Sequence, residues 1–156
     1  MDGLRQICNG RLYIMKTIPD DIMHQMKELG VQVREALKQG NAEEAQSLLE
    51  QGWQLIPEPK SEYNISISKV LASIRLMAQS GKPSLALEWI EELKHLPISA
   101  IDAEPDFLTG ITHFELGNMG AAFQHFDRSS KMSKGRCFQG EDKKYVDFYK
   151  KRLGEK

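Results

Sequence analysis

Three glycines fix the frame of this chain. Gly40, Gly81 and Gly117 each follow a run of helix-forming residues, and the same small pattern can be counted from each. Five residues on stands an alanine (Ala45, Ala86, Ala122), and four beyond that a large apolar residue (Leu49, Ile90, Phe126). Seven residues before the turn stand Val33, Ile74 and Gly110. A glycine just past a helix supplies the left-handed conformation that closes it. A small residue at a set place in the following helix lets two backbones approach. The turn glycines are 41 and 36 residues apart, within the range of helical repeat units.

Local signals fill in the helices. From Thr17 to Gly40, Ile22, Met26, Leu29, Val33, Ala36 and Leu37 recur at helical spacing. Thr17 and Asp20 have the spacing of a capping box, and Pro19 suits a first turn. Asn41 is placed to cap a second helix with the stripe Ala45, Leu48, Leu49, Trp53, stopped by Pro57 and Pro59. "ISKVLASIRLMAQSG" and "KPSLALEWIEELKHLP" make a second pair, set between the connectors "KSEYNIS" and "ISAIDAEP". "DFLTGITHFELG" and "AAFQHFDRSSKM" make a third, and "EDKKYVDFYKKRL" is a last amphipathic helix. No segment shows strand alternation, so the expected fold class is all-α. Residues 17–134 are expected to form about three helical hairpins, and 135–156 a capping helix with a basic tail. Residues 1–16 read as an N-terminal arm or, ahead of Met15, as an upstream extension. Arg5, Asn9 and Arg11 break any apolar core that a signal peptide would need.

With its paired helices, turn glycines and second-helix alanines, the chain resembles the tetratricopeptide repeat (TPR) family over about residues 20 to 132. The third unit matches best: Gly110 stands at the family's small first-helix position, Gly117 and Asn118 at the turn, Ala122 and Phe126 at the second-helix signature. The first matches through Gly40, Ala45, Leu49, Gly52 and Pro57; in the second, Pro97 comes one residue early. The family's usual opening aromatic is replaced by Leu29, Val70 and Asp106. The resemblance implies a right-handed superhelix of about three hairpins, with the final helix, through Tyr145, Phe148 and Tyr149, covering the last exposed face of the array.

It also implies a concave surface made by the first helix of each pair. Carried over position by position, that surface would hold Lys27, Arg34, Leu37 and Lys38, then Ser68, Leu71, Arg75, Ala78 and Gln79, then Glu104, Phe107, Ile111, Phe114 and Glu115. Of these, Arg34, Lys38, Arg75, Gln79, Phe107, Ile111, Phe114 and Glu115 are the candidate partner-binding residues. The groove would be basic at one end and apolar to acidic at the other, which suits an acidic or amphipathic protein segment. Lys and Asn residues that clamp a C-terminal carboxylate in some TPR domains are absent; Gly30, Arg34, Ala72 and Glu104 stand there.

Charge and chemistry narrow the partner. The net charge of −1 over 156 residues argues against a nucleic-acid binder. The stretch from Lys131 to Lys156 carries +5, leaving −6 elsewhere, a polarity that would steer an acidic partner or, as the lesser reading, nucleic acid. No apolar run approaches a membrane span. Cys8 and Cys137 form no disulfide framework, which fits a reduced, cytoplasmic protein. Catalysis is not expected. His24, His95, His113 and His125 lack cysteines at metal-ligand spacing. "HFE" at 113–115 lacks the P-C-x-x-C that a zinc deaminase requires, and Cys137 has no assigned histidine partner. No G-x-x-x-x-G-K or strand-borne G-x-G-x-x-G is present. No metal or cofactor is predicted.

The tail "FQGEDKKYVDFYKK" is similar to that of short bacterial TPR-like proteins that act as immunity partners of polymorphic or contact-dependent toxins, although Lys143 stands where those often carry proline. That resemblance implies binding to one toxin domain. Two other readings stay open: a cytoplasmic chaperone or adaptor for secreted proteins, and a scaffold that self-associates through an exposed array end.

Overall fold

A computed structural model describes residues 4–8 and 10–155; the parts of the arm and tail at 1–3, 9 and 156 lie outside the described residues. Seven α-helices run α1 Asp20–Lys38, α2 Ala42–Gln54, α3 Ile65–Ala78, α4 Ala86–Leu93, α5 Glu104–Glu115, α6 Met119–Ser133 and α7 Lys143–Gly154. The fold is all-α, with one short β-hairpin attached at its start.

Each glycine turn does the same physical job. Gly40, Gly81 and Gly117 have φ of +73°, +91° and +84°, a conformation that costs an L side chain energy and glycine none. The chain doubles back at each, so that α1 packs on α2, α3 on α4 and α5 on α6. Neighbouring pairs then meet through α2 with α3, α3 with α5 and α4 with α5. Ala45, Ala86 and Ala122 are all completely buried. Val33 and Ile74 are buried before the first two turns, and Gly110 before the third. At Gly110 the reason is direct: a Cβ there would lie 2.6 Å from the Phe126 ring. Asn41 caps α2 as expected, its side chain accepting from the Glu44 amide at 3.1 Å while its own Nδ2 donates back to Glu44.

Two local expectations are corrected. Thr17 does not cap α1: the helix begins at Asp20 with Pro19 in the cap position and no side-chain cap. Asp20 and Asp21 in the first turn meet the helix dipole instead. The expectation of no strands also fails. Leu4–Cys8 (β1) and Arg11–Met15 (β2) pair antiparallel, Cys8 opposite Arg11 and Leu4 opposite Met15. The missed signal was Asn9-Gly10, a two-residue hairpin turn sequence; Gly10 has φ of +74°. The hairpin is fastened to the connector after α2: the Lys16 amide donates to Glu62 O, and the Asn64 amide donates to Lys16 O. Met15 is buried, while Leu12 and Ile14 are exposed.

The core runs the length of the chain and ends in aromatics. Trp53 of α2 and Trp89 of α4 meet edge to face, 6.1 Å between centroids, and the Trp89 indole donates to the buried Gln46 Oε1 at 2.8 Å. At the other end Phe107, Phe126, Phe138 and Tyr145 enclose one another with centroids 5.4–6.5 Å apart. Edge and tilted contacts of this kind add roughly 0.5–1.5 kcal/mol per pair beyond area burial.

Candidate protein-binding surface

The candidate residues sit on α1, α3 and α5, the first helices of the three hairpins. By count from the turn glycines, Arg34, Arg75 and Ile111 hold one equivalent position, and Lys38, Gln79 and Glu115 another. The structure divides these eight residues into two groups.

Five of them are engaged by the chain's own C-terminal segment, and a sixth, Ile111, is buried in the core. Arg75 Nη1 lies 2.8 Å from Glu141 Oε2, a pair only 32% and 16% exposed. Gln79 Nε2 donates to the Tyr145 hydroxyl at 3.2 Å, and that hydroxyl donates to Glu115 Oε1 at 2.8 Å. Lys144 Nζ approaches the same carboxylate oxygen at 2.7 Å. Phe107 and Ile111 are buried, and Phe114 packs edge-on against Tyr145 and Phe148. The C-terminal end of the expected groove is therefore filled by α7 and the loop before it. Phe107, Phe114 and Glu115 are an intramolecular seat for Tyr145, and Ile111 is buried in the core. Tyr145, Phe148 and Tyr149 do cover the end of the array, and Tyr145 is completely buried. Burial of its ring, together with the Glu115 carboxylate, pushes the Tyr145 hydroxyl up to about 12 despite the opposing bond from Gln79. Lys144 is held above the ordinary lysine range by its bond to Glu115.

The other two residues, Arg34 and Lys38, are exposed. With Lys27 on the same helix they carry three positive charges, and among the described residues no carboxylate forms an ion pair with any of them. Arg34 folds back along α1, its Nη1 standing 3.8 Å from where a Cβ on Gly30 would be. On α3 and at the start of α5 a shallow depression of about 440 Å³ is lined by Asn64, Ile67, Ser68, Leu71, Arg75 and Glu104. Ser68, Leu71, Arg75 and Glu104 belong to the expected concave stripe; Asn64 and Ile67 were not anticipated.

A second polar group escaped the sequence reading. Asp106 Oδ1 accepts from Arg128 Nη2 at 3.0 Å and lies 2.8 Å from His125 Nδ1. The His125 ring stacks on His113 at 5.6 Å and 8°. Burial, then the neighbouring His125, holds the His113 imidazole below the ordinary histidine range. The signal lay in the repeat register. Asp106 stands where the other units have Leu29 and Val70, His113 where they have Ala36 and Met77, and His125 where they have Leu48 and Trp89. Among the described residues no three His, Cys, Asp or Glu side chains converge as metal ligands, and no helix is long and apolar enough to cross a membrane.

Compared with protein-family models, with curated proteins and with solved structures, the chain matches none.

Proposed function

We propose that this chain is a non-catalytic, TPR-like protein-binding module whose three hairpins continue into a right-handed superhelix. Its role in the cell is that of an immunity protein, holding one toxin domain and blocking its active site in the cytoplasm. The observation that carries the binding reading is the exposed cationic stripe of α1, Lys27, Arg34 and Lys38, for which no internal carboxylate forms an ion pair among the described residues. Exposed charge without an internal partner costs folding nothing to keep and is available to an incoming carboxylate. The immunity reading is supported by the resemblance of the segment around "FQGEDKKYVDFYKK" to the tails of such proteins, a segment that here closes the array.

Affinity capture of the full chain from its native host, followed by mass spectrometry, tests the role. Recovery of a single toxin domain at stoichiometric amounts is the expected result. Several secreted clients would replace the immunity reading with chaperoning, and recovery of the chain alone would replace it with self-assembly.

A further inference from the structure

Lys69 of α3 is placed unlike the other lysines among the described residues. Its side chain lies across the backbone of α2 at Gly52, where a Cβ would stand 2.8 Å from its Nζ and 3.2 Å from its Cε. Leu29 Cδ1 of α1 is 3.9 Å from the same point. The side chain that Gly52 lacks thus leaves the hollow that holds the amine, and α1, α2 and α3 meet around it. Lysines elsewhere either meet a carboxylate, as Lys60 and Lys144 do, or stand exposed, as Lys27 and Lys38 do. Lys69 is half-buried, and among the described residues no ion pair or hydrogen bond reaches its amine. No side-chain nitrogen among those residues is sealed from solvent without a partner, so the Nζ keeps an opening to water.

An amine in this position is penalised in its charged form. Burial takes water from the ammonium and no carboxylate compensates, so Lys69 is held below the ordinary lysine range. The free base is the form that attacks an electrophile, and each unit by which a lysine falls raises its free-base share at neutral pH about tenfold. Desolvated lysines act as nucleophiles for this reason.

We propose that Lys69 is a covalent modification site, the amine of this chain that accepts an acyl group from a small acyl phosphate. The Nζ lone pair attacks the carbonyl carbon, and the bond from that carbon to the phosphate oxygen breaks. Phosphate leaves with the electron pair, and the surplus proton on nitrogen passes to water through the opening. The product is a neutral amide, and nothing is oxidised or reduced. It removes the charge that the hollow over Gly52 holds without a partner and adds bulk beside Leu29, at the seam between the first and second hairpins. A small donor is required because the amine lies in a helix junction and not on a free surface. The assignment is independent of the protein-binding reading above.

The probe is acetyl phosphate, added in limiting amount to the full chain near neutral pH. The chain is then unfolded and its remaining amines are saturated with deuterated acetic anhydride. The light-to-heavy ratio at each lysine, read by mass spectrometry after cleavage at acidic residues, gives its occupancy. Lys69 should carry at least about threefold more light acetyl than the exposed Lys27 and Lys38. In guanidinium chloride that excess should vanish. Gly52→Ala places a methyl group in the hollow and turns the ammonium out to solvent; its helical circular dichroism should be kept and the excess at Lys69 lost. The proposal is overturned if Lys69 reacts no faster than Lys27 and Lys38 in the native chain, if its excess persists in guanidinium chloride, or if the excess is unchanged in folded Gly52→Ala. Should Gly52→Ala not fold, the native and unfolded wild-type chains decide between them.

Discussion

Gly110→Ala should destabilise the protein while Gly120→Ala stabilises it, although both replace a glycine that α-helix geometry would rather see as alanine. Alanine in a helix interior is favoured over glycine by about 0.8–1 kcal/mol. Gly120, in the first turn of α6, has no atom within 4 Å of the space a Cβ would take. It should collect part of that gain, about 0.5 kcal/mol. At Gly110 the added carbon would stand 2.6 Å and 2.7 Å from Cδ1 and Cε1 of Phe126. Carbon atoms rest at about 3.5–4.0 Å, so the ring must retreat by nearly 1 Å. It has no free direction, because Phe126 is completely buried and Phe107, Phe138, Tyr145 and Phe148 stand 5.4–6.3 Å from it, centroid to centroid. Overpacking of this sort costs roughly 1–3 kcal/mol, and more where the neighbours are fixed. With its neighbours fixed the site belongs to the upper part of that range, about 2–3 kcal/mol, and subtracting the helix gain leaves a net loss of about 1–2 kcal/mol for Gly110→Ala. The two variants should then differ by about 2 kcal/mol, or roughly 4–8 °C in Tm for a chain of this size. Urea unfolding followed by far-UV circular dichroism measures the difference directly, with equal m-values as the control for a common unfolded state. Gly52→Ala belongs in the same series: its nearest contact is the Lys69 ammonium at 2.8 Å, the far end of a flexible chain, so it should behave like Gly120→Ala. If Gly110→Ala proves as stable as Gly120→Ala, the close crossing of α5 and α6 is not what selects glycine at 110.

Three further outcomes follow from the charged and polar groups. Tyr145 titrates at about 12 in the fold against an ordinary 10.0. Its contribution is therefore complete below pH 10 and lost as pH rises toward 12; Tyr145→Phe should flatten that alkaline limb of stability while leaving the ring packing intact. His113 has the opposite sense, since its folded pKa lies below the ordinary 6.5. The unfolded chain takes up the proton first, stability falls as pH drops through and below 6.5, and His113→Gln should remove that part of the acid slope in denaturant titrations between neutral and mildly acidic pH. Arg75→Glu should place two carboxylates together at Glu141 and loosen the loop before α7, seen as faster amide exchange around Glu141, whereas Arg34→Glu should leave exchange there unchanged.

What could be read from the sequence was set by the range of the interactions involved. The glycine turns, the buried alanines and the Asn41 cap depend on backbone conformation and on neighbours three or four residues away, so their residue types announce them. The hairpin at the start of the chain was equally local, but its signal is a dipeptide, Asn9-Gly10, between strands of five residues each, too short for alternation to stand out. The docking of the C-terminal segment on α3 had no local signal at all. Glu141 meets Arg75, and Tyr145 meets Gln79, across 66 residues of chain. That α7 would cover the third hairpin was legible in its aromatics; that Tyr145 also reaches Gln79 of α3 was not.

That docking changes what the charge pattern means. In sequence the +5 of the last segment reads as a free basic tail and Glu115 as the acidic end of a groove. In the fold each neutralises part of the other: Lys144 is bound to Glu115, and Lys131 to Asp127 of α6. Glu115 is thereby answered from within, and Lys131 and Lys144, though still exposed in part, each have an internal carboxylate partner. Nothing equivalent cancels Lys27, Arg34 and Lys38 among the described residues. An exposed cation left without an internal carboxylate is the kind of group that attracts an acidic partner and repels a cationic one.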